Sequence, residues 1–351
     1  MNAYCRSLIC NKLLILNAVT LSVIAASGCR QRHGGVSREL ALQAVTPDED
    51  SIGSFTVPAK EVSGLCVFND ANTGKNKVLA VSDSDKKLIV ADLAGIRRGR
   101  LEAEAVDLSA WSDGQKPTGS AKSGSQWEAI FADNNSRLYI SNEEAGTIEV
   151  FDFKKRRFLG QIELSFGSDN DQISELKKAW DQDTGSRVEG FVVLSNGHIL
   201  AAKEKNPPAL IEFAPRGEPA EGFAGRSVRS PRQETVPSTF VPWPGRPEKK
   251  LVYYAQKYWR PSSEFSADLD LSELTISDDG QIVLLSDRLR SIYFLGNSLT
   301  LAETTFKTRK TINLPAVMEK PEGLTFITAE QGLIAIDLKE IKTNLFLKYL
   351  K

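Results

Sequence analysis

Histidine is scarce in this chain, with two among 351 residues, and cysteine is little more common, with four. Two histidines exclude a His-rich metal site or a binuclear His/carboxylate centre. An excess of charge of either sign is also missing. Lys and Arg number 44 against 45 Asp and Glu, for a net charge of −1. That balance excludes a nucleic-acid binder whose affinity rests on an overall basic surface, so nucleic acid is not an expected partner. No long helical period runs through the sequence, and a G-x-S-x-G nucleophile elbow is missing from any useful context. What is present is 41% hydrophobic and 25% charged residues, an ordinary globular composition, in a length that suits one large domain or two of ordinary size.

The N-terminus has a processing signature. Arg6 and Lys12 precede an apolar run from Leu13 to Ala25, and no acidic residue occurs before Cys29. The run is short and interrupted by Asn17 and Thr20, which suits a secretory signal better than a membrane span. It ends in Ala26-Ser27-Gly28-Cys29, which resembles the lipobox of bacterial lipoproteins. In that family the Cys is lipidated and becomes the mature N-terminus. The expected organisation is therefore a signal peptide with lipobox at 1–28, a polar tether at 29–50 and a folded body at 51–351. Cys29 is the expected lipidation site, the membrane the expected partner, and the bacterial cell envelope, extracytoplasmic, the expected location. Arg30 leaves an outer-membrane address open. Without Arg6 and Lys12 the net charge moves from −1 to −3. Cys5 and Cys10 leave with the signal, His33 lies in the tether, and Cys66, between Leu65 and Val67, reads as a buried small hydrophobe.

The body repeats. Glu61-Val62-Ser63-Gly64-Leu65 and Asp270-Leu271-Ser272-Glu273-Leu274 are one motif type, and Trp127-Glu128-Ala129-Ile130, Val188-Glu189-Gly190-Phe191 and Pro321-Glu322-Gly323-Leu324 are another that aligns with it. Most are followed by a turn signal, an apolar run, an acidic residue and a second apolar run. Lys77–Asp83 leading to Leu88–Asp92 is one example; Gln281–Asp287 leading to Ser291–Phe294 is another. Short β-rich runs separated by turns such as Ser195-Asn196-Gly197 and Asp278-Asp279-Gly280 are the hairpin signature. Their repetition predicts an all-β sandwich, barrel or propeller. The motif steps are 65, 61, 83 and 50 residues. A blade takes about 40–50 residues, so the step of 83 predicts a hidden sixth blade with Leu251–Ala255 as one strand. A six-bladed β-propeller, monomeric in its body, is the expected fold. A helix is predicted over Asp171–Trp180, from Ile173, Leu176 and Trp180, and a long surface loop over 215–250.

Val188-Glu189-Gly190-Phe191, followed by Lys203-Glu204-Lys205-Asn206-Pro207, resembles the SdiA-regulated family of bacterial six-bladed propellers, relatives of the phytase-like propellers. Asp270-Leu271-Ser272-Glu273-Leu274 with Ser286-Asp287, and Pro321-Glu322-Gly323-Leu324, are similar to further elements of that family. The resemblance spans about residues 55 to 340. It implies calcium in or near the central channel, because related propellers hold it there.

The residues themselves point the same way. Glu128, Glu189 and Glu322 open inner strands, and Asp83, Glu143, Glu204 and Asp287 close the apolar runs that follow. Equivalent positions of different blades converge about a propeller axis, where carboxylates repel unless a cation or a basic group lies between them. Calcium, with six to eight oxygen ligands in loose geometry, suits such a set. Glu128, Glu189, Glu204, Glu322, Asp83 and Asp287 are thus the expected metal ligands. The alternative is that each carboxylate accepts backbone N–H groups or pairs with Lys203, Lys205 or Arg288. Lys203, Lys205, Tyr258, Trp259 and Arg260 are expected to bind a ligand, in a face that Trp243 and Tyr254 would extend. His198 is expected to be an exposed edge residue after its Asn-Gly turn, which weakens a Ser-His-Asp reading. The expected function is a calcium-binding module for an envelope ligand or protein. A calcium-dependent phosphoesterase or esterase of phytase-like type is the alternative.

Overall fold

In the computed structural model the described residues are 51–70, 73–111, 125–133, 135–167, 173–224 and 250–350. The signal peptide, lipobox, Cys29, His33, the tether, Trp243 and most of the predicted 215–250 loop lie outside them. Among the described residues no helix is long and apolar enough to cross a membrane.

The chain is an all-β propeller. Strand β1 (Ser51–Phe55) is followed by blade one: β2 (Val62–Asp70), β3 (Lys75–Ser82), β4 (Lys87–Asp92) and β5 (Ala103–Asp107). The short helix α1 (Leu93–Arg97) sits between the last two, capped by the Asp92 carboxylate accepting from Gly95 N at 2.9 Å. Blade two is β6 (Trp127–Ala132), β7 (Arg137–Asn142), β8 (Thr147–Asp152) and β9 (Arg157–Ser165). Helix α2 (Ser174–Gln182) follows, buries Leu176 and Trp180, and begins a little later than the sequence predicts. Blade three holds β10 (Gly190–Val193), β11 (Ile199–Lys203), β12 (Ala209–Pro215) and β14 (Lys250–Pro261), with the two-residue β13 (Phe223–Ala224) between the last two. Blade four is β15 (Glu273–Ile276), β16 (Ile282–Ser286), β17 (Ser291–Gly296) and β20 (Lys310–Asn313). The two-residue strands β18 (Ser298–Leu299) and β19 (Thr305–Phe306) pair with β13 and β14. Blade five is β21 (Pro321–Thr328), β22 (Gln331–Ile336) and β23 (Leu345–Tyr349), completed by β1 from the start of the body.

The described residues therefore form five blades, which corrects the expected six. The innermost strands β2, β6, β10, β15 and β21 touch in cyclic order, β21 returning to β2, so the ring is closed without another blade. Leu251–Ala255, expected in a hidden blade, belongs to β14, the outer strand of blade three. The long step from Glu189 to Ser272 is an insertion within one blade. β14 also pairs in parallel with β9, which joins the outer edges of blades two and three.

Inner strands meet closely because the motif position of Gly64, Ala129, Gly190 and Gly323 is small. A Cβ on Gly64 would lie 2.6 Å from Ala129 Cα, and one on Gly190 or Gly323 would overlap the backbone of the next inner strand. The apolar residues between blades form the core; Leu79, Ile140, Ile211, Leu284 and Ile334 from the second and third strands are fully buried. Left-handed backbone at Glu61, Gln126 and Lys320, with φ of 45°, 55° and 48°, turns the chain into β2, β6 and β21. The closing blade is locked by buried Asn344, whose Oδ1 accepts from Val57 N at 2.8 Å and whose Nδ2 donates to Ala59 O at 3.0 Å.

Candidate functional site

Each second strand ends at the same end of the ring, and the residue after it is acidic in all five blades: Asp83, Glu143, Glu204, Asp287 and Asp337. The inner-strand acids Glu128, Glu189 and Glu322 stand at that end too. These groups feel one another around the axis. Burial, then Asp83, Glu322 and Glu143, push the Glu128 carboxyl well above the usual range. Glu189 is pushed the same way by burial, then by Glu128, Glu143 and Glu204. Glu322 is raised by burial, then by Asp337, against the opposing pull of Lys320. Glu143 and Asp287 are each raised to about 6, in both cases first by burial. Desolvation and like charge act together here, the pattern of a site built for a cation or for protons.

The tightest group is Glu143, Glu189 and Glu204. Donor oxygens of the three lie within 4.8 Å of one another. Calcium–oxygen distances are about 2.4 Å, so two ligands on opposite sides of one ion stand about 4.8 Å apart. The three can therefore share an ion. The Glu143 and Glu189 carboxyls hydrogen-bond each other, sharing a proton that a cation would replace, and the buried Oε1 of Glu143 has no further partner. The donor set is all oxygen, which fits a hard cation and not a soft metal.

The structure places the other expected residues as follows. Asp83, Glu128, Glu322 and Asp287 lie in the acidic mouth around this trio. Asp83 Oδ1 accepts from Gln126 Nε2 at 2.8 Å. Lys205 Nζ reaches Glu204 Oε1 at 2.6 Å, the basic pairing expected as the alternative to a metal at that one carboxylate. Arg288 pairs instead with Asp268, at 2.8 Å. Lys203 is fully buried, and its ammonium donates to the carbonyls of Ser186, at 3.1 Å, and of Lys205. Burial pulls the Lys203 amine below its ordinary value.

Tyr258, Trp259 and Arg260 sit on the outermost strand of blade three, two strands from β11, about 10 Å by strand spacing. They do not join Lys203 and Lys205. Trp259 corrects the expectation of a ligand-facing ring. It is fully buried among Leu269, Leu271, Leu299 and Phe306, and its Nε1 donates to Thr300 O at 3.0 Å. Arg260 lies 5.4 Å from the Tyr258 ring centre and pairs with Glu175 on α2 at 2.7 Å.

His198 is a second correction. It is only 2% exposed, at the opposite end of the ring. Its Nδ1 meets the fully buried Glu212 carboxylate at 2.7 Å and its Nε2 meets Glu218 at 3.1 Å. Burial opposes its charge, but the two carboxylates outweigh burial and raise its pKa. Cys66 is buried as expected, and burial, then Glu273, push its thiol up.

Three acidic residues were not among the expected site residues, although two of them, Asp270 and Glu273, lie in a motif that the sequence displays. Asp337 completes the fivefold set, and Ile334-Ala335-Ile336-Asp337 carried the signal, an acid closing an apolar run. Asp270 accepts from Ser286 Oγ at 2.5 Å and lifts Asp287. Glu273 takes the place of the small motif residue and projects toward the axis. Its Oε1 accepts from Leu274 N at 2.9 Å, and backbone groups of Leu324 on the adjacent inner strand β21 and of Leu65 on β2, the strand beyond it, also bond to the carboxyl. Burial still raises Glu273 well above the usual range.

No known family profile matches the chain, and no curated protein matches it. Solved structures do. A Bacteroides caccae protein of unknown function aligns at 9% identity with a TM-score of 0.33, over 73% of this chain and 64% of that one. The chain thus spans just under two thirds of that protein. The Cps50 (Swd1) β-propeller domain of Myceliophteria thermophila aligns at 7% identity and TM-score 0.34, over 78% and 67%. The PQQ-bound aldose sugar dehydrogenase of Streptomyces coelicolor aligns at 9% identity and TM-score 0.44, over 85% and 97%.

Proposed function

We propose that this chain is a lipid-anchored propeller of the bacterial cell envelope, of the SdiA-regulated type, that binds calcium at its acidic mouth and serves as a ligand- or partner-binding module. The observation that carries the calcium reading is the trio Glu143, Glu189 and Glu204, with donor oxygens within 4.8 Å and one buried oxygen unpartnered. Six to eight oxygens are needed, and three carboxylates supply between three and six. A bound cation would relieve the like-charge repulsion that raises these groups, and would fix the loops of blades two and three relative to each other.

Binding is preferred to phosphoesterase chemistry because the basic groups beside the carboxylates are already engaged. Lys203 serves two backbone carbonyls and Lys205 serves Glu204. The test is elemental analysis of purified protein with calcium titration by calorimetry. Saturable binding of one ion, lost in Glu143→Gln, is expected; a titration that Glu143→Gln leaves unchanged would sink the assignment. For the anchor, Cys29→Ala should move the protein from the membrane fraction to the soluble fraction. A variant that still fractionates with membrane refutes lipidation at Cys29.

A further inference from the structure

A cavity of about 290 Å³ opens at the end of the ring away from the acidic mouth. All five inner strands contribute to it, among them Cys66, Phe131 and Phe326. Each inner strand is terminal in its sheet, so the alternate backbone N–H and C=O groups that do not pair with the second strand face the axis. On the axis, Glu273 stands between this cavity and the acidic mouth. Half-buried Phe131 and Phe223 supply apolar wall, and the described lining contains no lysine, arginine or histidine. Its acidic groups are Glu221 and Asp278, both on the rim segments that follow strands.

One wall is held in place from behind. The buried Glu212 carboxylate accepts from Glu221 N at 3.0 Å and from Gly222 N at 2.9 Å while His198 holds its Oε1. Phe223 and Ala224 then pair with Leu299 and Ser298. A charged residue with no exposure thus fixes the segment that carries Glu221 and Phe223. This is the preformed, partly apolar concavity with a few placed polar groups that small ligands occupy.

We propose that this cavity binds a small organic cation, a primary ammonium on an apolar body about the size of one aromatic ring. An ammonium offers three donors and no acceptor, which suits carbonyl oxygens of the strand edges. Glu221 and Asp278 favour positive charge over negative at the rim. Phe131 and Phe223 take the apolar body and can face a cation with their rings. An anion would meet two carboxylates and no basic side chain of the described lining.

Three probes with one ring separate the terms: 2-phenylethylammonium, the neutral 2-phenylethanol and the anionic phenylacetate, titrated by calorimetry and ligand-observed NMR. The cation should bind about tenfold more tightly than the alcohol, a difference of about 1.4 kcal/mol, and phenylacetate should not bind. Glu221→Gln with Asp278→Asn should remove that preference while alcohol binding persists, which shows the cavity intact. Phe131→Ala should weaken both the cation and the alcohol, the cation at least as much. Glu189→Gln, at the other mouth, should leave all three unchanged. The proposal is overturned if the cation shows no saturable binding at millimolar concentration or binds no better than the alcohol. It is equally overturned if the preference survives the rim substitutions, or if Glu189→Gln abolishes it, which would place the ammonium in the acidic mouth.

Discussion

Calcium binding at the acidic mouth should expel protons. Glu143 ionises at about 6 in the folded chain against an ordinary glutamate value of 4.5. Keeping it charged above that pH costs the folded state about 2 kcal/mol relative to the unfolded chain. Asp287, raised from 3.8 to about 6, acts in the same direction. The sign is that of acids raised on folding. Their penalty is absent below the unfolded values, grows as pH rises from about 4 to 6, and is complete above the folded values. Metal-free protein should therefore be more stable at pH 5 than at pH 7.5 so far as these groups decide it. A cation held by Glu143, Glu189 and Glu204 binds only the ionised forms. At pH 6 Glu143 is half protonated, and burial with the neighbouring carboxylates raises Glu189 in the same direction. One ion should then displace at least about 0.5 proton at pH 6, the Glu143 share, and that share should vanish at pH 8 where Glu143 is already ionised. Calorimetry in two buffers of different ionisation enthalpy measures that number directly. At a free calcium concentration 100 times Kd, the gain in stability should be about 2.7 kcal/mol, a rise of a few degrees in Tm. Binding without proton release at pH 6 would refute the reasoning, because the ion would then sit on carboxylates that were never raised.

Three further outcomes are expected. Gly64→Ala should destabilise the fold by about 3 kcal/mol or more in chemical denaturation, because the new Cβ would lie 2.6 Å from the Ala129 Cα and backbone cannot move aside cheaply; a loss below about 1 kcal/mol would contradict the close approach of inner strands. His198→Ala should cost about 2–4 kcal/mol by leaving buried Glu212 short of a partner. The charge-linked part of the His198 contribution is present below the ordinary imidazole value and fades as pH rises through the raised folded value, so the stability gap between wild type and variant should narrow at high pH. Glu273→Gln should be neutral at pH 3, below the ordinary carboxyl value, and stabilising at pH 8, since the raised carboxyl opposes ionisation on folding; equal effects at both pH values would contradict a buried acid.

The fold was legible where local chemistry repeats. Hairpin runs bounded by Asn-Gly and Asp-Gly turns carried the strands, and the two aligned motif types carried the inner position of each blade. The blade count was not legible, because a step between motifs measures chain length and not strand number. The interval between Glu189 and Ser272 holds one long outer strand and an insertion, and only the pairing of β14 with β12 assigns it. The acidic mouth was legible because rotational repetition brings equivalent positions together, and Glu189 and Glu204 were read from sequence on that ground. His198 and Trp259 were not. The Asn-Gly turn marks His198 as a turn neighbour, but its carboxylate partners come from a paired strand and a later segment. Trp259 lies on an outermost strand, where exposure is the default, and is covered because Leu269, Leu271 and residues from 299 to 306 pack over it.

The pairing of β1 with β23 also sets how the molecule carries a load. Ser51 lies opposite Lys348 and Phe55 opposite Leu345, so both ends of the folded body leave from the same end of one antiparallel pair. A pull on the N-terminus against the C-terminus parts these strands bond by bond, as a zipper opens, instead of shearing all the bonds at once. Opening that one seam also frees Val57 and Ala59 from Asn344 and opens the ring at blade five. A body hung from its N-terminus would feel tension first at this closure, and its resistance to force is set there, not by the core.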